Sequence, residues 1–203
     1  MKKSVGNKIL LSIIIPYHKK KKFFHSTIKS IYSQTFKNYE VILIYDDNDY
    51  GEINFVKNQL KKIKNKKLII NKKILGPGLS RNIGIKYAKG KLIAFCDADD
   101  TWHKKKLSEQ IKFMAKNNLK FSHTSYNIIN YNGKKTGQFK IKEKLNYSDL
   151  LKSCDIGLST VIVEKKILNS SKFCNLKTKE DYYLWLKLVK KLKIIKGNKK
   201  YLV

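Results

Sequence analysis

The chain has 203 residues, 45 basic against 15 acidic side chains and a formal net charge of +30. That length buries a substantial single core and no Ser-, Gly- or Pro-rich linker divides it, so one domain over residues 1–203 is expected, with a C-terminal extension. Cys96, Cys154 and Cys174 are odd in number, far apart and without a Cys-x-x-Cys pair, which argues against a disulfide framework or a structural zinc site and fits a reducing, cytoplasmic compartment; nothing approaches the roughly 18 apolar residues of a membrane span.

Lys2 and Lys3 ahead of Ile9 to Ile15 imitate a signal peptide, but the apolar run is short and leads to Pro16 and four lysines instead of a small-residue cleavage site. It reads as a first strand, Leu10 to Ile15, stopped by Pro16, with a helix following from about Phe23 to Ser33. Tyr39 to Tyr45 repeats the strand pattern and ends in Asp46 and Asp47, with Asp49 close behind. A helix from Ile53 to Lys62 precedes a short strand, Lys67 to Ile70, and Gly76-Pro77-Gly78 signals a loop before a helix from about Ser80 to Ala88. Leu92 to Cys96 lacks polar alternation, the pattern of a strand covered on both faces, and it ends in Asp97, Asp99 and Asp100. Leu107 to Asn118 reads as a helix and Phe121 to Tyr131 as a strand closing at the Asn132-Gly133 turn. Ser159 to Val163 is a further strand, and Asp181 to Leu192 a helix with Leu184, Trp185, Leu188, Val189 and Leu192 as its apolar stripe. This alternation predicts an α/β fold, an open and mostly parallel Rossmann-like sheet with right-handed crossovers and helices on both faces.

Seven of the 15 acids fall in three clusters: Asp46 with Asp47; Asp97, Asp99 and Asp100; Glu180 with Asp181. Like charges packed this closely repel unless a cation neutralises them, and hard ions such as Mn²⁺ or Mg²⁺ bind through carboxylate oxygens. Each cluster also has a plainer reading. Asp46 and Asp47 suit a turn after a strand, Asp100 could be the N-cap of the next helix, and Thr178 with Asp181 has the form of a capping box. Two acid-tipped strands in one sheet nevertheless point to a shared rim, where α/β sheets bind ligands. Asp181 lies on the side of its helix that carries the apolar stripe, so it is expected to be partly buried and able to act as a general base.

Arg81 is the single arginine among the 45 basic residues. Its planar fork binds phosphate in a way that lysine cannot, and it follows a Gly-rich loop near a helix start; the plainer reading is one arginine surviving by chance. Trp102 and Trp185 could stack on sugar rings or simply pack the core, and Leu158, Ser159 and Thr160 are candidates for the same pocket.

Six segments in order resemble glycosyltransferase family 2, enzymes of the GT-A fold: Ser12 to Tyr17, Ser30 to Phe36, Val41 to Asp47, Gly76 to Gly84, Phe95 to Asp100 and Glu180 to Trp185. The likeness runs from about Leu11 to Leu192. It implies that residues of about 10–131 bind a nucleotide-sugar and those of about 132–203 form the acceptor side. Pro16, Tyr17, Asp46 and Asp47 would hold base and ribose. Asp97 and Asp99 would be the DxD motif, with Asp99 the direct ligand of Mn²⁺ or Mg²⁺, and Arg81 would meet the diphosphate. Asp181 would be the catalytic base, with Glu180, Trp102 and Trp185 near the acceptor or sugar. The resemblance also implies further helices beyond the Asp181 segment, so the stop at Val203 leaves a minimal acceptor side or a truncated chain.

The expected activity is inverting, metal-dependent transfer of a sugar, most readily from a UDP-sugar, to a saccharide or lipid-linked saccharide in surface-polysaccharide assembly. Nucleic-acid binding is the reading that net charge alone suggests, and the near absence of arginine and the clustered acids speak against it. Loss of turnover with retained nucleotide binding is a third reading. Peripheral contact with an anionic membrane is compatible with the lysine excess.

Overall fold

A computed structural model describes residues 9–203, so Lys2 and Lys3 lie outside the described residues. Strand β1 (Leu11–Tyr17), helix α1 (Lys21–Tyr32), β2 (Tyr39–Tyr45), α2 (Ile53–Leu60), β3 (Lys66–Ile70), α3 (Pro77–Tyr87) and β4 (Leu92–Phe95) alternate along the first half. Then come α4 (Lys106–Lys116), β5 (Phe121–Ile129), β6 (Lys135–Phe139), β7 (Lys144–Asn146), α5 (Tyr147–Lys152), β8 (Ile162–Glu164), α6 (Lys165–Leu168), α7 (Glu180–Leu192) and β9 (Ile194–Tyr201). The sheet order is β3-β2-β1-β4-β8-β5-β9-β7, with β6 on β5. The expected parallel sheet is its β3-β2-β1-β4 half; beyond β4 the strands are mixed, with β8 antiparallel to both β4 and β5 and β9 parallel to β5.

Because side chains alternate along a strand, the β-branched runs of β1 and β2 feed two cores at once. Ile13, Ile15, Val41 and Leu43 face α1, α2 and α4 through Phe24, Ile28, Val56 and Leu107. Ile14, Ile42 and Ile44 face α3 and α7 through Ile85, Leu184 and Leu188. Helices therefore cover both faces, as expected.

Pro16 does not stop β1. The strand runs on to Tyr17, whose carbonyl accepts from Asp46 N at 2.9 Å, while the ladder to β4 ends at Ile14 opposite Phe95. The proline's missing N–H thus falls beyond the end of that ladder, where no donor is needed. Ser159 to Val163 divides into a 3-10 turn, Leu158–Thr160, and the short β8. The elements that the sequence left unmarked, β6, β7, α5, α6 and β9, are short or rich in lysine, and β6 and β9 each contain a glycine, so neither period stands out. Among the described residues no helix is long and apolar enough to cross a membrane.

Candidate active site

The acid-tipped ends of the strands open on a cleft of about 800 Å³, walled by the 97–100 turn, the Gly157 to Thr160 segment, the β5–β6 hairpin and Asp181 at the start of α7. The 97–100 turn closes with Asp100 N donating to Asp97 O at 3.1 Å, which brings Asp97, Asp99 and Asp100 to the same wall. Ser159 steadies the turn: its hydroxyl accepts from Asp97 N at 3.0 Å and also bonds the Asp100 side chain. Burial, and then the charge of Asp97, push the Asp100 carboxyl up to about 6. Asp100 does not cap α4, which begins six residues later behind Lys105 with no side-chain cap.

Each of the other two acids of the turn has a cation on one oxygen. Lys20 Nζ lies 2.7 Å from Asp99 Oδ2, and Arg81 Nη2 lies 2.7 Å from Asp97 Oδ1. Among the described residues no group of three or more His, Cys, Asp or Glu side chains is arranged to hold a metal by itself. The donor set fits instead an ion of the Mg²⁺ or Mn²⁺ type, which binds one or two carboxylates and takes its remaining oxygens from substrate phosphate and water.

Asp181 faces the same cleft. Its carboxyl is raised, first by burial and then by the adjacent Glu180, against the N–H of Tyr182, which donates to Oδ1 at 2.7 Å. A raised carboxylate on a cleft wall is a competent proton acceptor. The Thr178–Asp181 capping box does not form: Lys179, with φ of 59°, occupies the cap and gives no side-chain bond, whereas Asn146 and Asp149 do form a capping box on α5.

Several residues expected to bind ligand are engaged within the fold. Arg81 is 4% exposed, with Nη1 on Glu180 and Nη2 on Asp97 and its guanidinium 5.4 Å from the centroid of the Phe173 ring. It therefore holds two carboxylates in place. One ammonium cannot make that bridge, which accounts for arginine here in a chain of lysines. Glu180 is buried beneath it, not at the pocket. Gly78 gives Glu180 room, since a Cβ there would lie 2.9 Å from Glu180 Cγ and from Cys174 O.

Asp46 is likewise committed. Its Oδ1 accepts from Asn71 Nδ2 at 2.7 Å and Leu75 N at 2.8 Å, and its Oδ2 accepts from Gly76 N at 2.8 Å, where φ is +83°. It clamps the loop that launches α3, while Asp47, equally buried, accepts from Asp49 N at 3.1 Å on Oδ1 and has Oδ2 3.4 Å from His18 Nδ1. Tyr17 is fully buried, stacked on Tyr45 with ring centroids 5.4 Å apart and donating to Glu52. Trp102 is buried with Nε1 donating to Ser159 O at 3.1 Å, and Trp185 is 0% exposed against Phe121 and Phe173. The two tryptophans are core, not sugar platforms. Leu158, Ser159 and Thr160 do line the cleft, and Pro16 sits half-buried at the end of β1.

Lys20, Phe23, Gly157, Val203 and the hairpin residues Tyr126 to Tyr131 are the cleft components that sequence reasoning missed. Lys20 carries no distinguishing signal within its run of four lysines.

With this geometry in view, the comparison with known proteins is direct. Residues 12–174 match the model of glycosyl transferase family 2. The chain belongs to glycosyl transferase family 2. Within the family it is 39% identical over 185 residues to UDP-Glc:alpha-D-GlcNAc-diphosphoundecaprenol beta-1,3-glucosyltransferase WfgD of Escherichia coli, covering 89% of this chain and 70% of that one. S. aureus TarS 1-349, solved in complex with UDP, has the same fold at a TM-score of 0.79 and 24% identity, over 95% of this chain and 59% of that chain. The mannosyltransferase PcManGT of Pyrobaculum calidifontis, solved with GDP-Man and Mn²⁺, matches at a TM-score of 0.71 and 14% identity, over 94% of this chain and 54% of that chain. This family 2 chain thus spans somewhat over half the length of those solved chains and shares their GT-A architecture.

Proposed function

We propose that the chain transfers a sugar, with inversion, from a UDP-sugar to a hydroxyl of a saccharide or lipid-linked saccharide in surface-polysaccharide assembly. The observation that carries this reading is the juxtaposition of the Asp97–Asp100 turn and Asp181, with its raised carboxyl, on one cleft. The substrate class draws support from the relative that acts on a diphosphoundecaprenol-linked sugar and from the structural neighbour that holds UDP. For the metal, support comes from the carboxylate donor set and from the neighbour holding Mn²⁺.

In this mechanism Asp181 accepts the proton of the acceptor hydroxyl as its oxygen attacks the anomeric carbon, and the bond from that carbon to the nucleotide diphosphate breaks on the opposite face. A divalent ion, when bound, offsets the negative charge gathering on the departing diphosphate. Asp97 and Asp99 would hold it, Asp99 as the direct ligand. Arg81 keeps Asp97 oriented, and through Glu180 it anchors the start of the helix that carries Asp181. Asp46 sets the loop before α3.

Titration calorimetry with UDP, with and without Mn²⁺, tests the donor site. UDP is expected to bind more tightly with the metal, and Asp99→Ala to abolish that enhancement. Asp181→Asn is expected to retain UDP binding and lose transfer by at least about a hundredfold. An Asp181→Asn protein that turns over at the parent's rate would remove Asp181 from the mechanism.

A further inference from the structure

The β5–β6 hairpin walls the cleft with apolar side chains that stay largely exposed among the described residues. Ile128, Ile129 and Tyr131 line the cleft mouth and are 49%, 45% and 79% exposed. Facing them at the start of α1 is Phe23, its ring centroid 6.0 Å from that of Tyr131. Lys22 Nζ lies 5.6 Å from the Phe23 centroid and 5.5 Å from the Tyr131 centroid, so an ammonium joins the two rings. Clustered exposed apolar groups on a soluble chain mark a contact surface.

The charge around this lip is predominantly positive. Residues 18–39, which hold α1, and residues 110–142, which hold the hairpin, contain no Asp or Glu, while the hairpin and its exit carry Lys134, Lys135, Lys140 and Lys142. Surface lysines are usually interspersed with carboxylates; here the nearest ones past the hairpin, Glu143 and Asp149, are taken up by Lys199 and Lys142, which leaves Lys134, Lys135 and Lys140 as the charge behind the lip. Isoleucines at a tip, tyrosine beside them and lysines behind match the layers of a bilayer surface: acyl boundary, headgroup level and lipid phosphate.

We propose that this lip docks on bilayers containing anionic phospholipid and seats the cleft mouth on the headgroups. The use made of the contact rests on the proposed function, since a lipid-linked acceptor would then reach the cleft without leaving the bilayer. The contact itself needs no chemistry. Nucleic acid fits less well, because Ile128 and Ile129 have no counterpart in a polyphosphate chain and the stretch lacks arginine. A second copy fits less well because its lysines would meet their own kind across a two-fold axis.

Co-sedimentation of the intact chain with vesicles tests it. Vesicles of phosphatidylglycerol and phosphatidylcholine are expected to retain the protein and pure phosphatidylcholine to release it, with retention falling as salt rises. Ile128→Ser with Ile129→Ser, and separately Lys134→Gln with Lys135→Gln, are each expected to weaken retention about tenfold with the melting temperature unchanged, since these side chains are exposed. Lys61→Gln with Lys62→Gln, an equal loss of charge on the exposed end of α2, is expected to leave retention near that of the parent. Equal retention by neutral vesicles, equal weakening by the α2 pair, salt-sensitive RNA binding without vesicle binding, or a dimer that the hairpin variants dissociate would each overturn the proposal. UDP titration of the same protein separates the two readings: vesicle binding without UDP binding defeats the proposed function alone, and the reverse defeats this surface alone.

Discussion

At the scale of single residues, the buried charges carry the sharpest expectations. Arg81 bridges Glu180 and Asp97 from a position with almost no solvent contact, and removing one member of a buried ion network strands the others. Arg81→Met is expected to lower unfolding stability by about 3 kcal/mol, and Arg81→Lys to recover only part of it, because an ammonium reaches one carboxylate well and the second poorly. Urea midpoints decide this, and a lysine variant equal to the parent would show that the fork is dispensable. Lys106 is the opposite case, a buried cation without a carboxylate partner. Its ammonium donates to Gln110 Oε1 at 2.8 Å and lies 4.4 Å from the Trp102 ring centroid, and burial lowers it to about 7. The unfolded chain holds that proton up to about 10.5, so the folded state binds fewer protons between those values. Stability from this group is therefore full above pH 10.5 and lost as pH falls through 7. Lys106→Met is expected to stabilise the protein by on the order of 2 kcal/mol at pH 6, with the gain shrinking toward pH 10. Melting curves across that range check the sign, and a gain that grows with pH would contradict it.

At the scale of elements, α3 shows how one helix sets the site. It begins at the loop clamped by Asp46, carries Arg81 on its second turn and lies close against β1 and β2 at Gly84, where a Cβ would stand 2.5 Å from Ile14 Cγ2 and 3.0 Å from Ile44 Cδ1. Gly84→Ala must push the helix off the sheet, and a destabilisation of about 1–3 kcal/mol is expected by chemical denaturation. A neutral result would mean that the isoleucines give way freely. The helix itself was legible in the Gly76-Pro77-Gly78 signal and the pattern that follows, as were β2, β4 and α7 in their apolar runs. β9 was not, because five of the eight residues from Ile194 to Tyr201 are lysine, glycine or asparagine and the segment becomes a strand only by pairing with β5 and β7. The hairpin's role in the cleft was hidden for the same reason: Phe121 to Tyr131 reads as a strand, but which wall it forms depends on its partners.

For the whole molecule, a formal charge of +30 on 203 residues repels itself in the folded state. Screening should relieve that, so the melting temperature is expected to rise by a few degrees between about 0.02 M and about 0.3 M salt. Differential scanning calorimetry at several salt concentrations would show it, and a fall with salt would mean that the ion pairs outweigh the repulsion. The sequence by itself determined the strand and helix order of the parallel half and the acids at its strand ends, because apolar periodicity and strand-end position are local properties of the chain; the family came from the resemblance of six ordered segments. Only the tertiary structure decided which of those polar residues face the cleft. Arg81 meets a glutamate 99 positions away and Asp46 a loop 30 positions away, while Trp102 and Trp185 turn inward. A buried charge goes to whatever partner the packing brings within hydrogen-bond reach, and that partner is a property of the assembled layers, not of residue spacing.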